Sequence, residues 1–252
     1  MRKMQKKLSK GRREQIKSII VLCSVLAVIV IAMAVLVVPR VTMHNSIKEL
    51  VQTCEAGNTV TDFSARAEDA FTISNNYFSV DIPGEFVQDT TAANPMLDLY
   101  LSGEKSMAIF REPSVLQMSL INPIDKDGIG ANVEPEKLEE MVAKLGYGTP
   151  DCYYTIMKAA ILLDKEDYSF WDKEVQTAFA VVANLKERAY VGRKLWLYEN
   201  DDVCAVVSQY EGTQNFVIEA VSRRNSEQVF SMYLNNVEEE NVWQLLNSVE
   251  FQ

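Results

Sequence analysis

IIVLCSVLAVIVIAMAVLVV, the run from Ile19 to Val38, divides this chain and decides what the rest of it must be. Its twenty residues carry no charge, and Ser24 is their one polar side chain. At 1.5 Å rise per residue the run makes a helix of about 30 Å, the thickness of a bilayer's hydrocarbon core. Its many β-branched residues are no obstacle. In lipid every backbone N–H and C=O must pair within the segment, and a helix does that. The run therefore reads as a single transmembrane helix.

The charge on either side orients it. Eight basic residues precede the run (Arg2, Lys3, Lys6, Lys7, Lys10, Arg12, Arg13 and Lys17) against the lone acid Glu14, and only Arg40 comes closely after it. The positive-inside rule keeps such an N-terminus in the cytoplasm and exports the remainder of the chain. Beyond Arg40 the chain holds 16 basic and 34 acidic residues, a balance of −18. The expected localisation is the cell membrane, single-pass, with an acidic extracytoplasmic body. A cleaved signal peptide competes with this reading, but its apolar region spans about 7–15 residues and ends at a small-residue site. Here Ala32-Met33-Ala34 lies inside the run and is still succeeded by Val35 to Val38, so an uncleaved anchor is expected. A lipoprotein reading of Cys23 fails because few apolar residues precede it and Leu22 stands where a small residue is needed.

The organisation expected is a basic tail over 1–18, the span over 19–38, a juxtamembrane helix and linker over 39–70, and a folded domain over 71–252. The partners expected are the bilayer itself and anionic lipid head groups on the basic tail, at about 1 kcal/mol per Lys or Arg. Nucleic acid is not expected, since eighteen residues without aromatics hold no recognition fold.

Within the domain, Tyr77 to Ile82 alternates Phe78, Val80 and Ile82 with Ser79 and Asp81, the period of a half-buried strand, and Pro83-Gly84 ends it. Further strands are expected over Met96–Leu101 and Ser106–Arg111, then an irregular segment over Pro113–Val133. Helices are expected from Glu134-Pro135 through Leu145, from Thr149-Pro150-Asp151 to about Leu163, and from near Tyr168 to before Gly192. The last carries Phe170, Val175, Phe179, Val182 and Leu185 close to one face. Four strands come next, over Lys194–Tyr198, Val203–Tyr210, Asn215–Ser222 and Gln228–Asn235, with short turns that imply antiparallel neighbours. Phe230, Met232 and Leu234 should face the core. Val242, Leu245 and Leu246 mark a closing helix, whose acidic start at Glu238-Glu239-Glu240 suits the helix dipole. The fold class is α+β, an antiparallel sheet flanked by helices.

Tyr77-Phe78-Ser79-Val80-Asp81-Ile82-Pro83 with Phe86, and Leu245-Leu246-Asn247-Ser248-Val249-Glu250-Phe251 at the other end, resemble the two ends of PsbP-like domains. The resemblance spans roughly Phe71 to Gln252. It implies a sandwich fold and an accessory or binding role beside larger assemblies, and it assigns no functional residue.

Residues for chemistry are scarce. His44 is the single histidine, so multi-histidine zinc sites are excluded and a Ser-His-Asp triad has almost no material. No G-x-S-x-G, P-loop or G-x-G-x-x-G occurs. Asp125-Lys126-Asp127-Gly128 lacks the further ligands of a calcium loop and reads as a turn. Neither metal nor cofactor is expected. Cys54, Cys152 and Cys204 enter an exported compartment, an odd number that leaves at least one unpaired and keeps a Cys152–Cys204 bridge open. Tyr153, Tyr154, Tyr168, Phe170 and Trp171 cluster around the helical block, either as core or as a surface for a protein partner. The expected function is a membrane-anchored extracytoplasmic accessory module of an envelope complex, not an enzyme. The alternative is an envelope hydrolase with two carboxylates facing a cleft.

Overall fold

The computed structural model describes residues 10–60, 65, 67–91, 94–111, 135–147, 153–190, 192–225 and 228–252. Contacts divide the chain into two units, Met1–Lys48 and Glu49–Gln252.

The first unit is helical. Helix α1 (Lys10–Ala32) passes through one π-helical turn (Met33–Val37) into α2 (Val38–Thr53), whose last residues belong to the second unit. The large apolar residues from Ile19 to Leu36 are exposed, from Val25 at 49% to Val28 at 65%, and Val37 is half-buried. The few hydroxyls close on the helix itself: Ser24 Oγ donates to the carbonyl of Ile20 (2.9 Å) and Thr42 Oγ1 to that of Val38 (2.9 Å). This is a helix of the length and composition that can cross a membrane.

The second unit is built on an eight-stranded sheet in the order β1-β7-β8-β9-β10-β6-β5-β4. Its strands are β1 (Asn58–Val60), β4 (Val87–Gln88), β5 (Leu97–Ser102), β6 (Lys105–Phe110), β7 (Arg193–Glu199), β8 (Val203–Tyr210), β9 (Phe216–Ser222) and β10 (Val229–Asn235). All neighbours run antiparallel except β1, which lies parallel to β7. A second sheet, β11-β3-β2, joins β2 (Phe71–Ser74), β3 (Phe78–Ile82) and β11 (Glu250–Phe251). Three helices, α3 (Pro135–Lys144), α4 (Tyr153–Leu162) and α5 (Lys173–Tyr190), precede β7, and α6 (Glu239–Ser248) comes after β10.

Period-two alternation sends each strand's side chains to two different cores. On one face Tyr198, Val207, Ile218, Phe230, Met232 and Leu234 meet Phe78, Val80 and Ile82 of the small sheet and Val242, Leu245 and Leu246 of α6. On the other, Leu195, Leu197, Val206 and Val221 meet α3, α4 and α5. The layers are therefore helices, large sheet, then small sheet with α6, an α+β arrangement. The central strand β9 is buried at all seven positions, which explains its near-continuous apolar reading.

Strand expectations hold in detail for β3, β5, β6 and β7 to β10, and Phe230, Met232 and Leu234 are buried as expected. Long-range pairing accounts for three differences. Asn58–Val60, expected to open a linker, is held as a strand by β7, and Phe71–Ser74 by β3. Strand β11 forms because Glu250 and Phe251 reach Ser79 and Phe78. Helix α5 starts at Lys173 rather than near Tyr168, because Asp172 Oδ1 accepts from the N–H groups of Glu174 (2.9 Å) and Val175 (3.2 Å) as its N-cap. The irregular segment expected over 113–133 lies outside the described residues, as do the start expected for α4 and the Asp125–Gly128 turn.

Phe230 is fully buried and meets Phe78 edge-to-face at 4.7 Å between ring centroids. Phe230→Ala is expected to destabilise the second unit by about 3–5 kcal/mol in denaturant titrations, by leaving a cavity between the two sheets.

Candidate functional site

The polypeptide just past α2 is tied to the end of α4. A helix leaves its last carbonyls without intrahelical donors, and here distant residues supply them. Lys186 of α5 points its ammonium at three backbone oxygens, those of Glu55, Ile161 (3.0 Å) and Leu163 (2.8 Å). Gly57 N–H also donates to Ile161 O (2.8 Å), and Cys54 Sγ to Leu163 O (3.2 Å). Gly57 has to be glycine, since a Cβ there would stand 2.7 Å from Ile161 Cγ2. Asp164 closes the knot. One carboxylate oxygen accepts from Glu166 N–H (3.1 Å) and the other from Ala56 N–H (3.2 Å), and these donors, Glu166 first, hold its carboxyl below the usual range. Burial pulls Lys186 below the usual ammonium range and pushes the Cys54 thiol up to about 11. With three acceptors on its three protons, Lys186 is a charged clasp and has no free lone pair for nucleophilic work.

Beside the clasp lies a cleft of about 490 Å³, walled by the 49–58 segment, the C-terminal half of α5 and the start of β7. Four glutamates, Glu49, Glu55, Glu187 and Glu211, rim it and are all exposed. Lys186, Arg193 and Lys194 also line it, and Arg193 lies opposite Tyr210 in the β7–β8 ladder. The guanidinium stacks 4.2 Å from the Tyr210 ring centroid and donates to Tyr210 Oη (2.7 Å) and Ser208 Oγ (3.1 Å).

The one buried charged side chain among the described residues is Glu219, 9% exposed, in the middle of β9. It stands directly opposite Val206 on β8 and Ser231 on β10, on the helix-side face of the sheet. Burial pushes its carboxyl up to about 7, against the opposing pull of Arg193. No periodicity announces this residue. In the sequence it reads as an interruption of the apolar run Phe216–Val221.

The expected aromatic cluster is divided. Tyr153 and Tyr154 are the first two residues of α4, and their side chains lie outside the described residues. Tyr168 turns inward, edge-to-face with Phe179 at 5.5 Å, its hydroxyl accepting from Gln176 Nε2 (3.0 Å). Phe170 is half-buried and packs at 5.0 Å against Trp171, which is 71% exposed. His44 lies half-buried in α2, and Cys54 and Cys204 are buried, while Cys152 falls outside the described residues. Among the described residues, no three His, Cys, Asp or Glu side chains stand close enough to hold a metal ion.

Comparison with protein-family models, with curated proteins and with solved structures gives no match to this chain.

Two outcomes test this geometry. Lys186→Met keeps the apolar stem but strips three carbonyls of their cation, and denaturation should show a loss of about 2–3 kcal/mol. For Glu219, a folded-state value above the unfolded one stabilises the fold at acid pH, and that contribution is lost as pH rises through about 7. Glu219→Gln should therefore equal the native chain near pH 4 and exceed it by up to roughly 3 kcal/mol at about pH 8.5, read as denaturation midpoints.

Proposed function

We propose that this chain is a membrane-anchored module whose acidic domain stands outside the cytoplasm and binds a protein of the cell envelope, without catalysis of its own. The observation that carries the anchor is the twenty-residue uncharged run, helical throughout and exposed on every face. Water gives such a surface no partner, and apolar patches of this extent mark a site of membrane or protein contact. The eight cations ahead of it favour an N-terminus left in the cytoplasm.

Two features support binding over chemistry. Trp171 stands 71% exposed on the turn before α5, backed by Phe170, and exposed aromatics of this kind anchor protein interfaces. The carboxylates at the cleft rim are exposed, whereas the buried one, Glu219, is not among the residues that line the cleft. An acid–base pair needs two such groups in different environments facing one substrate. The resemblance to PsbP-like ends agrees with an accessory role. Its two segments meet in one small sheet, where Phe251 lies opposite Phe78.

The full-length chain should stay with membranes through an alkaline carbonate wash, and protease reaching the outer face of intact cells should digest the acidic domain. A freely soluble full-length chain, or a domain spared by that protease, refutes the anchor. For the binding role, a photo-crosslinking amino acid at position 171 should yield one discrete adduct in living cells. Trp171→Ala should weaken the purified pair by about 2 kcal/mol or more, measured by titration. Absence of any adduct across growth states counts against the binding role and leaves the anchor standing.

A further inference from the structure

Arg193 belongs to two places at once. The residue lines the cleft, and its guanidinium is stacked on Tyr210 and bonded to Tyr210 Oη and Ser208 Oγ. Ser208 also sits beside Glu219: it pairs with Val217, two residues before Glu219 on the same face of the sheet. No hydrogen-bond donor among the described residues reaches the Glu219 carboxyl, nine-tenths buried though it is.

A buried carboxyl without a donor is tolerated in its neutral form and is costly as an anion. The charged and titratable side chains that face Glu219, among the described residues, are Arg193 from β7, Tyr210 from β8 and Tyr233 from β10. Arg193 alone carries a positive charge. Its guanidinium is held by two neutral oxygens, Tyr210 Oη and Ser208 Oγ, which are weaker partners than a carboxylate.

We infer that Arg193 is a two-position side chain governed by the proton on Glu219. With the carboxyl neutral, the guanidinium stays on Tyr210 and Ser208 and forms the cleft wall. When the proton leaves for solvent, the anion draws the guanidinium across Ser208 into an ion pair on the sheet face. The cleft wall then loses the Arg193 cation, leaving Lys186 and Lys194, and Tyr210 loses its stacking partner. The near-neutral range set for Glu219 by its burial places the change where small shifts of external pH act. This stands whatever the cleft or the Trp171 turn binds.

The test is nuclear magnetic resonance on the full chain in detergent micelles, with arginine labelled at Nε and glutamate at the side-chain carboxyl. The Glu219 carboxyl signal, identified by its loss in Glu219→Gln, should titrate near neutrality. The Arg193 Nε–Hε signal, identified by its loss in Arg193→Lys, should shift with the same midpoint and stay fixed in Glu219→Gln. In Arg193→Met the Glu219 midpoint should rise, because the ion pair that favours the anion is gone. A Glu219 midpoint in the ordinary carboxylate range overturns the inference. So does an Arg193 signal that ignores pH, or one that moves equally in Glu219→Gln. The signals of the unaltered chain decide the matter even where a variant folds poorly.

Discussion

A sheet that is apolar on both faces must be covered on both, and the second unit is arranged to meet that constraint. Strand β9 is buried at each of its seven positions, so neither face of the sheet centre can be left to water. Helices α3, α4 and α5 supply one cover, and the small sheet with α6 supplies the other. The second cover is assembled from the two ends of the domain. Phe78, Val80 and Ile82 come from early in the unit and Leu245, Leu246 and Val249 from its last residues, and they meet in one core. Neither end folds as a layer without the other, because two short strands and a ten-residue helix bury too little alone.

The helix-side cover depends on one cation. Lys186 joins the stretch after α2 to the C-terminal end of α4 by occupying carbonyls that neither helix can satisfy internally. Placing an ammonium there is favourable twice over. It offers three donors to three acceptors, and it sits at the negative end of a helix dipole. Gly57 and Asp164 let the two backbones run within hydrogen-bonding distance, and β1 then continues into the sheet beside β7. Within the second unit, residues 54–60 are thus held by Lys186, Asp164 and β7.

Against this ordered background Glu219 is an exception with a cost. The strand positions nearest it on that face, Val206, Val217, Val221 and Ser231, are apolar or a small hydroxyl. A carboxyl placed there lowers stability above neutral pH and brings a charge within reach of Arg193. The sheet tolerates it because β8 and β10 pair fully on either side, so the backbone does not depend on that side chain.

Most strands, the membrane-length helix and the α+β class were legible from residue spacing, because burial on one face imposes a period that local sequence must obey. Phe78, Val80, Ile82 and the Phe230 set show it, and so does the uncharged run from Ile19 to Val38. Elements that exist through a distant partner were not legible. Asn58–Val60 has no strand pattern of its own, and β11 is two residues long; each is made by the strand it pairs with. The same holds for the candidate sites. Trp171 could be singled out as an aromatic, but only packing decided that Tyr168 turns inward while Trp171 stays out. Lys186, Arg193 and Glu219 looked like ordinary charged residues, because an ammonium finds distant carbonyls, and a carboxyl loses its water, only once the chain has folded around them.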